Sequence, residues 1–292
     1  MRHLVIGCGY LGQRVAALWR DAGHEVVALT RDSGRQVEFD TLGLRAVVGD
    51  VTQPATLAPL GDAPVDTLLY AVGYDRAAAP SIQQVYADGL RNVLQALPAQ
   101  TRRVVYISTT GVYGPAGGDW VDEQTPANPL RDGGRASLAA EQTLHESRFA
   151  DRGVALRLAG IYGPGRVPFL QQLSGGEPIP APADGWLNLI HVDDAARIVE
   201  QAAVVENVSQ LYCVSDGQPV QRGDYYREVA RLVGADPPRF VAPEPDSPRA
   251  ARAAADKRVS NRRLVAELKT PFRYPSYREG LAGILGNPRP NG

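Results

Sequence analysis

A glycine-rich turn near the start of the chain restricts the fold more than any other feature. Gly7, Gly9 and Gly12 form the pattern G-x-G-x-x-G between a short apolar run and a helical apolar stripe. In that context the first glycine permits a tight turn, the second lets the backbone approach a pyrophosphate, and the third lets the helix pack on the strand. The helix N-terminus also offers free N–H groups to a phosphate. The pattern predicts a dinucleotide site that includes Tyr10 and Leu11.

The end of the second predicted strand, 25–29, indicates which dinucleotide is bound. An NAD site usually has an acid there for the ribose hydroxyls, but here Thr30 stands at that position and Arg31 follows. A guanidinium group matches a 2′-phosphate in charge and geometry, and we therefore predict NADP over NAD. The alternative is a solvated Arg31, with Asp32 binding the ribose of NAD one position late.

The alternation of strand and helix patterns predicts the fold class. Further apolar runs predict strands at 46–48, 67–72, 103–107 and 154–158, and a helical apolar stripe follows Ser81. Near-continuous apolar strands separated by helices are typical of a parallel sheet that is covered on both faces. We therefore predict an α/β protein with a doubly wound Rossmann sheet.

Binding sites in such sheets lie at the carboxyl ends of the strands. Further candidate cofactor residues follow the third, fourth and sixth predicted strands: Asp50, Val51, Ala71, Val72, Gly73, Gly160 and Ile161. Asp50 can accept a hydrogen bond from the adenine amino group or cap a helix, and the two roles are compatible. Gly and Pro become dense after residue 160, as expected of loops over a substrate cleft. Within them, Arg166 is predicted to bind an anion of the substrate.

The composition excludes several classes of partner. The chain has 292 residues and a net charge of −1, which predicts neither nucleic-acid nor membrane binding. No segment is long and apolar enough to span a bilayer, and we expect no signal peptide. Cys8 and Cys213 suit a reducing compartment better than a disulfide. We expect a cytoplasmic protein with a small-molecule substrate and no metal site, in an oligomeric state that the sequence does not define.

Four motifs together resemble the extended short-chain dehydrogenases/reductases, which include nucleotide-sugar epimerases and dehydratases. They are GCGYLG at 7–12, STTGVYG at 108–114, RLAGIYGPGR at 157–166 and HVDD at 191–194. The resemblance implies a Rossmann domain at 1–160 and a smaller substrate lobe at 161–292, with segments near 185–215 completing the Rossmann sheet. We expect a loop or a poorly ordered segment at 237–255, which is rich in Pro, Ala and Arg.

The catalytic helix departs from the family pattern. The family uses Tyr-x-x-x-Lys, in which Tyr exchanges a proton with the substrate oxygen while Lys lowers the Tyr pKa and holds the nicotinamide ribose. Here Gly133 stands at the Tyr position and Ser137 at the Lys position, and both lysines of the chain, Lys257 and Lys269, are remote in sequence. This departure resembles the atypical YeeZ-like branch, which lacks the pair.

Two hydroxyl groups are the remaining catalytic candidates. Thr109 matches the third member of the family's Ser/Tyr/Lys triad, and its hydroxyl can bind a substrate carbonyl or cap a turn. Tyr113 can supply the missing acid or be a packed tyrosine. Arg135, on the catalytic helix, can neutralise a phosphate, contact Glu141 or form a surface ion pair.

Two functions therefore remain open. The first is an NADP-dependent oxidoreductase or epimerase-like enzyme that acts on a small carbonyl or hydroxyl compound or a nucleotide sugar through a non-standard acid. The second is a catalytically degenerate reductase that senses NADP(H) and signals through its C-terminal lobe. The loop-rich cleft and Arg166 favour the enzyme, whereas the missing pair favours the sensor. We expect the enzyme.

Overall fold

A seven-stranded parallel sheet lies at the centre of the computed structural model, which describes residues 1–286. Its strands are β1 (Arg2–Ile6), β2 (Glu25–Thr30), β3 (Arg45–Val48), β4 (Thr67–Tyr70), β5 (Arg103–Thr109), β6 (Gly153–Leu158) and β7 (Leu211–Val214). They lie in the order β7-β6-β5-β4-β1-β2-β3, so the winding direction reverses between β1 and β4. This order confirms the predicted Rossmann fold.

Helices surround the sheet and form much of the C-terminal part. They are α1 (Gly12–Asp21), α2 (Gln36–Thr41), α3 (Gly89–Ala96), α4 (Asp132–His145), α5 (Leu170–Ser174), α6 (Val192–Val204), α7 (Arg222–Val233), α8 (Pro248–Ala253), α9 (Arg262–Leu268) and α10 (Tyr277–Leu285). A π-helical segment, Gln84–Asp88, leads into α3. Four short 3₁₀ segments cover Ser33–Arg35, Pro54–Gly61, Thr110–Tyr113 and Ala150–Arg152.

Short strand pairs connect distant parts of the chain. Gly160–Tyr162 pairs with Leu189–His191, Trp186–Leu187 with Val220–Gln221, Ile179–Pro180 with Phe240–Val241, and Trp120–Val121 with Arg258–Val259. The last pair brings the C-terminal segment back to the loop that follows β5. No helix in residues 1–286 is long and apolar enough to cross a membrane.

The core follows the apolar strands. Every residue of β4 and of β6 is buried, because helices cover both faces of the sheet. One face packs against α1, whose Val15 and Trp19 are buried, and the His3 ring of β1 stacks on Trp19 at 4.3 Å between ring centroids. The C-terminal elements enclose a separate cluster that includes Tyr162, Tyr225 and Leu281. The division at residue 160 stays a prediction.

The stretch 237–255 differs from its prediction as a loop. It contains the strand Phe240–Val241 and the helix α8. The Ser247 hydroxyl caps that helix by accepting a hydrogen bond from the Ala250 N–H at 3.1 Å. A serine that precedes an alanine-rich turn is a helix-start signal, and it outweighs the proline content that suggested a loop.

Candidate functional site

A groove of about 440 Å³ runs along the carboxyl ends of the central strands. Most of the predicted binding residues line it: Gly7, Gly9, Tyr10, Leu11, Arg31, Asp50, Val51, Ala71, Val72, Gly73, Ile161 and Arg166. Gly12 and Gly160 do not line the groove, and neither do Thr109 and Tyr113. The Gly160 N–H instead donates to the Asn188 carbonyl at 2.9 Å.

The glycine turn fits a pyrophosphate. Gly7 has φ +93°, and a Cβ there would lie 2.4 Å from the Ala71 carbonyl carbon. A Cβ on Gly12 would lie 2.3 Å from the Gly7 oxygen, so this glycine allows the helix to pack against the turn. A Cβ on Gly9 would meet no atom within 4 Å, and it would project into open space. The two outer glycines are thus required by packing, whereas the middle one keeps the groove accessible to a ligand.

Two arginines and an aspartate line the β2 end of the groove. Arg31 is exposed and lines the groove. The Asp32 carboxylate accepts a hydrogen bond from the Gly34 N–H at 2.8 Å and thereby caps the 3₁₀ turn Ser33–Arg35. The sequence reasoning missed Arg35, which ends this turn and also lines the groove. The available signal was Asp32 followed by Ser33-Gly34, which predicts a turn but not the direction of the Arg35 side chain.

Contacts fix the position of Arg35 above the glycine turn. Its Nη2 donates to the Cys8 carbonyl at 3.3 Å, and its Nε pairs with Glu38 at 2.8 Å. The hydrogen bond to Glu38 raises the pKa of Arg35, despite partial burial. The Cys8 thiol beneath it is buried, and burial raises its pKa to about 11. Cys8 therefore fills space and remains a protonated thiol.

Asp50 and Arg166 lie at opposite sides of the groove. Asp50 accepts hydrogen bonds from the Thr52 N–H and hydroxyl, both at 2.8 Å, so it caps a turn and not the following 3₁₀ segment, which begins after Gln53. The adenine contact stays a prediction. The Arg166 guanidinium carbon lies 5.3 Å from the centroid of the Tyr10 ring, and the Tyr10 hydroxyl donates to the Pro164 carbonyl at 3.1 Å. These contacts place Arg166, the residue predicted to bind an anion, beside the glycine turn.

The two candidate catalytic hydroxyls have different surroundings. Thr109 accepts the Gly111 N–H at 3.0 Å through Oγ1, so it caps the turn after β5 while its own hydroxyl hydrogen remains available. Tyr113 is 3% exposed and its hydroxyl lies 2.9 Å from the Cys213 Sγ. Burial raises the pKa of Tyr113, and Cys213 adds to the effect. This placement is that of a packed tyrosine, so its role as the acid stays a prediction without geometric support.

The positions of the missing catalytic pair lie on α4. Ser137 is 3% exposed, and a Cβ on Gly133 would lie 3.7 Å from the Ile82 Cδ1, an ordinary contact. Lys257, although remote in sequence, folds beneath the loop after β5, where its Nζ donates to the Gly114 carbonyl at 2.9 Å. The nearby lysine thus has a carbonyl partner and lies on neither position of the family pair.

A buried ion pair attaches α4 to the sheet below these positions. The Glu141 carboxylate accepts from the Arg157 Nε at 2.9 Å and Nη2 at 2.6 Å, and the Ser108 hydroxyl also donates to it. Burial alone would lower the pKa of Arg157, but the Glu141 partner raises it. Arg135 does not reach Glu141 and forms a surface ion pair with Asp132 at 2.9 Å.

Comparisons with known proteins agree with this geometry. Residues 3–210 match the sequence model of the NAD dependent epimerase/dehydratase family. Protein YeeZ of Escherichia coli (strain K12) is 27% identical over 277 residues, which cover 93% of this chain and 95% of YeeZ. The 3-diazoavenalumate denitrifying reductase of Streptomyces sp is 28% identical over 309 residues, which cover 96% of this chain and 99% of the reductase.

One similar solved structure contains bound ligands. MoeE5 in complex with UDP-glucose and NAD has a TM-score of 0.77 and 25% sequence identity, and the match covers 98% of each chain. The family match extends over the glycine turn, all the predicted groove residues and the α4 segment that lacks the Tyr–Lys pair. The chain therefore belongs to the NAD dependent epimerase/dehydratase family.

Proposed function

We propose that this chain is an NADP(H)-binding, atypical short-chain dehydrogenase/reductase with oxidoreductase or epimerase-like activity. Its substrate is a small carbonyl or hydroxyl compound or a nucleotide sugar. The observation that carries the proposal is the groove, which combines an open glycine turn with two arginines at its β2 end. The match to a reductase and the UDP-glucose and NAD bound to MoeE5 support the reaction and substrate class.

The preference for NADP rests on the charges at the β2 end. Arg31 is exposed beside the groove, and Arg35 is fixed over the glycine turn by the Cys8 carbonyl. Asp32 is the acid nearest the usual ribose-binding position, and one of its carboxylate oxygens is already bonded to the Gly34 N–H. Two guanidinium groups at the groove, of which Arg35 also pairs with Glu38, suit a 2′-phosphate better than two ribose hydroxyls.

The chemistry in this proposal does not use a Tyr–Lys pair. When bound, the cofactor supplies or accepts a hydride. The Thr109 hydroxyl, at the end of β5, donates a hydrogen bond to the substrate oxygen while its own oxygen stays bonded to the Gly111 N–H. Without a dedicated proton-transfer group, we expect turnover to be slower by about 10²–10⁴-fold than with one.

Calorimetric titration with NADPH and NADH tests the cofactor preference. Arg31→Ala and Arg35→Ala should each weaken NADPH binding about tenfold, because each removes a charge-assisted contact, and should leave NADH binding unchanged. Arg45→Ala is the matched control, since this arginine is 66% exposed at the opposite end of β3. Equal losses for the two cofactors would contradict the assignment.

A sensor of NADP(H) is the second candidate. The substitution of the catalytic pair by Gly133 and by the buried Ser137 favours it. NADPH oxidation with a panel of ketones and aldehydes, together with product analysis of nucleotide sugars incubated with NADP⁺, separates the two functions, because an epimerase consumes no net NADPH. Turnover of any of them supports the enzyme, whereas tight NADPH binding without turnover supports the sensor. We propose a cytoplasmic location, which the two buried free thiols of Cys8 and Cys213 support.

A further inference from the structure

Arg131 borders the turn that follows β5, where Thr109 lies. It precedes α4, and its Nη2 lies 3.1 Å from the point that a Cβ on Gly111 would occupy. The Thr109 Oγ1 lies 3.3 Å from the same point. Because residue 111 is a glycine, no side chain lies between the two groups at this point. A guanidinium nitrogen and a candidate substrate-binding hydroxyl therefore lie close together beside the Gly111 backbone.

The Arg131 charge has no counter-charge from the protein. The side chain is half-buried, and it makes no hydrogen bond or ion pair with any of residues 1–286. Burial lowers the pKa of Arg131, and the neighbouring Arg252 lowers it further. A half-buried guanidinium group without a protein partner can bind an anionic ligand that supplies the opposite charge.

Lys257 adds a third positive charge to this cluster. It is 5% exposed, and burial, followed by the charge of Arg131, lowers its pKa to about 8. Asp256 opposes this shift, but its carboxylate accepts the Trp186 N–H at 2.7 Å. The Lys257 Nζ donates to the carbonyls of Gly114 and Ala255 and not to a carboxylate. The cluster of Arg131, Arg252 and Lys257 is thus positive overall on the side of the loop that follows β5.

We propose that Arg131 binds an anionic group of the substrate, a carboxylate or a phosphate, next to the carbon whose oxygen is bound by Thr109. The inference rests on the proposed function and specifies its substrate class. A guanidinium group can hold either anion through two parallel hydrogen bonds. Arg252 and Lys257 strengthen the attraction through their charge, and Gly111 places no side chain between Arg131 and Thr109.

The test uses pyruvate, which carries a carboxylate next to a carbonyl, and inorganic phosphate as probes. Each is titrated into the cofactor-free full chain at constant ionic strength, and binding is followed by nuclear magnetic resonance. Arg131→Gln should weaken the preferred probe at least tenfold. Arg135→Gln is the matched control, because Arg135 lies one turn along and pairs with Asp132 on the surface. It should bind the probe like the wild type.

Gly111→Ala provides a second variant that keeps the Arg131 charge. A methyl group there fills the position between Arg131 and Thr109, and it should weaken the same probe by a similar factor. Preference for pyruvate or for phosphate identifies the anion. Wild-type affinity in both folded variants, or no saturable binding of either probe, would overturn the inference. Because no cofactor is present, this result is independent of whether NADPH binds.

Discussion

The cofactor groove and the substrate end of the cleft lie along one edge of the same sheet, but they are built in different ways. The groove comes from turns that directly follow β1 to β4, and its geometry depends on glycines and backbone groups. The substrate end combines the turn after β5 with Arg131 and with Lys257 from the C-terminal segment. The first is specified by local sequence, whereas the second exists only after long-range folding.

The largest expected effect is at the glycine turn. Gly9→Val should abolish measurable NADPH binding, because its side chain would enter the space that the backbone leaves open. The fold should remain intact, since a Cβ at this position meets no atom within 4 Å. Calorimetry measures the binding and circular dichroism checks the fold. Retained affinity in a folded variant would show that the turn is not the phosphate site.

The next largest effect is a loss of protein stability where the ion pair joins α4 to the sheet. Glu141→Gln should lower the free energy of unfolding by about 3–5 kcal/mol, because it leaves the Arg157 guanidinium buried without its charged partner. Asp132→Asn is the control, since Asp132 forms only an exposed ion pair with Arg135. Urea unfolding measures both variants. A loss below 1 kcal/mol in Glu141→Gln would show that this ion pair does not hold α4 to the sheet.

A pH-dependent effect is expected at the amino end of β1, opposite the groove. Burial, with the charge of His24 second, lowers the pKa of His3 to about 4, although Asp66 opposes the shift. The unfolded chain binds this proton near its ordinary pKa of about 6.5. It therefore takes up more protons than the folded protein between these values, so stability falls as the pH falls through this window.

The contribution of His3 to that loss is up to about 3 kcal/mol. His3→Leu should remove it, and urea unfolding of both proteins at pH 7 and pH 4 gives the difference. His145→Gln controls for the loss of a histidine elsewhere, since His145 is exposed in the last turn of α4. Identical pH profiles for the wild type and His3→Leu would contradict the assignment.

The smallest effect distinguishes two adjacent glycines at the start of α4. A Cβ on Gly134 would lie 2.7 Å from the Gly111 carbonyl oxygen, so Gly134→Ala should lower the free energy of unfolding by about 2 kcal/mol. Gly133→Ala is the matched control. It has room and should be neutral or slightly stabilising, because alanine favours a helix. Thermal unfolding measures both variants. Equal changes in melting temperature would show that α4 does not approach the turn after β5 so closely.

Much of the fold and half of the site could be predicted from the sequence. Apolar runs gave the strands of the sheet, and the glycine spacing gave the groove, since both depend on neighbouring residues. Arg35 was missed because its position depends on a turn capped by Asp32. Lys257 could not be placed, because only the pairing of Arg258–Val259 with Trp120–Val121 brings the C-terminal segment to the cleft. Arg131 could not be placed, because its position depends on how the residues before α4 pack on the turn after β5.

A crystal structure of the complex with NADP⁺ tests the central claim most directly. It should show the 2′-phosphate in contact with Arg31 and Arg35, and no lysine at the nicotinamide ribose. Thr109 should remain the nearest side-chain hydroxyl of the turn after β5 to the nicotinamide. A ribose bound by Asp32, with both arginines turned to solvent, would contradict the NADP assignment. Lys257 within hydrogen-bonding distance of the nicotinamide ribose would contradict the claim that the site works without the family's catalytic pair.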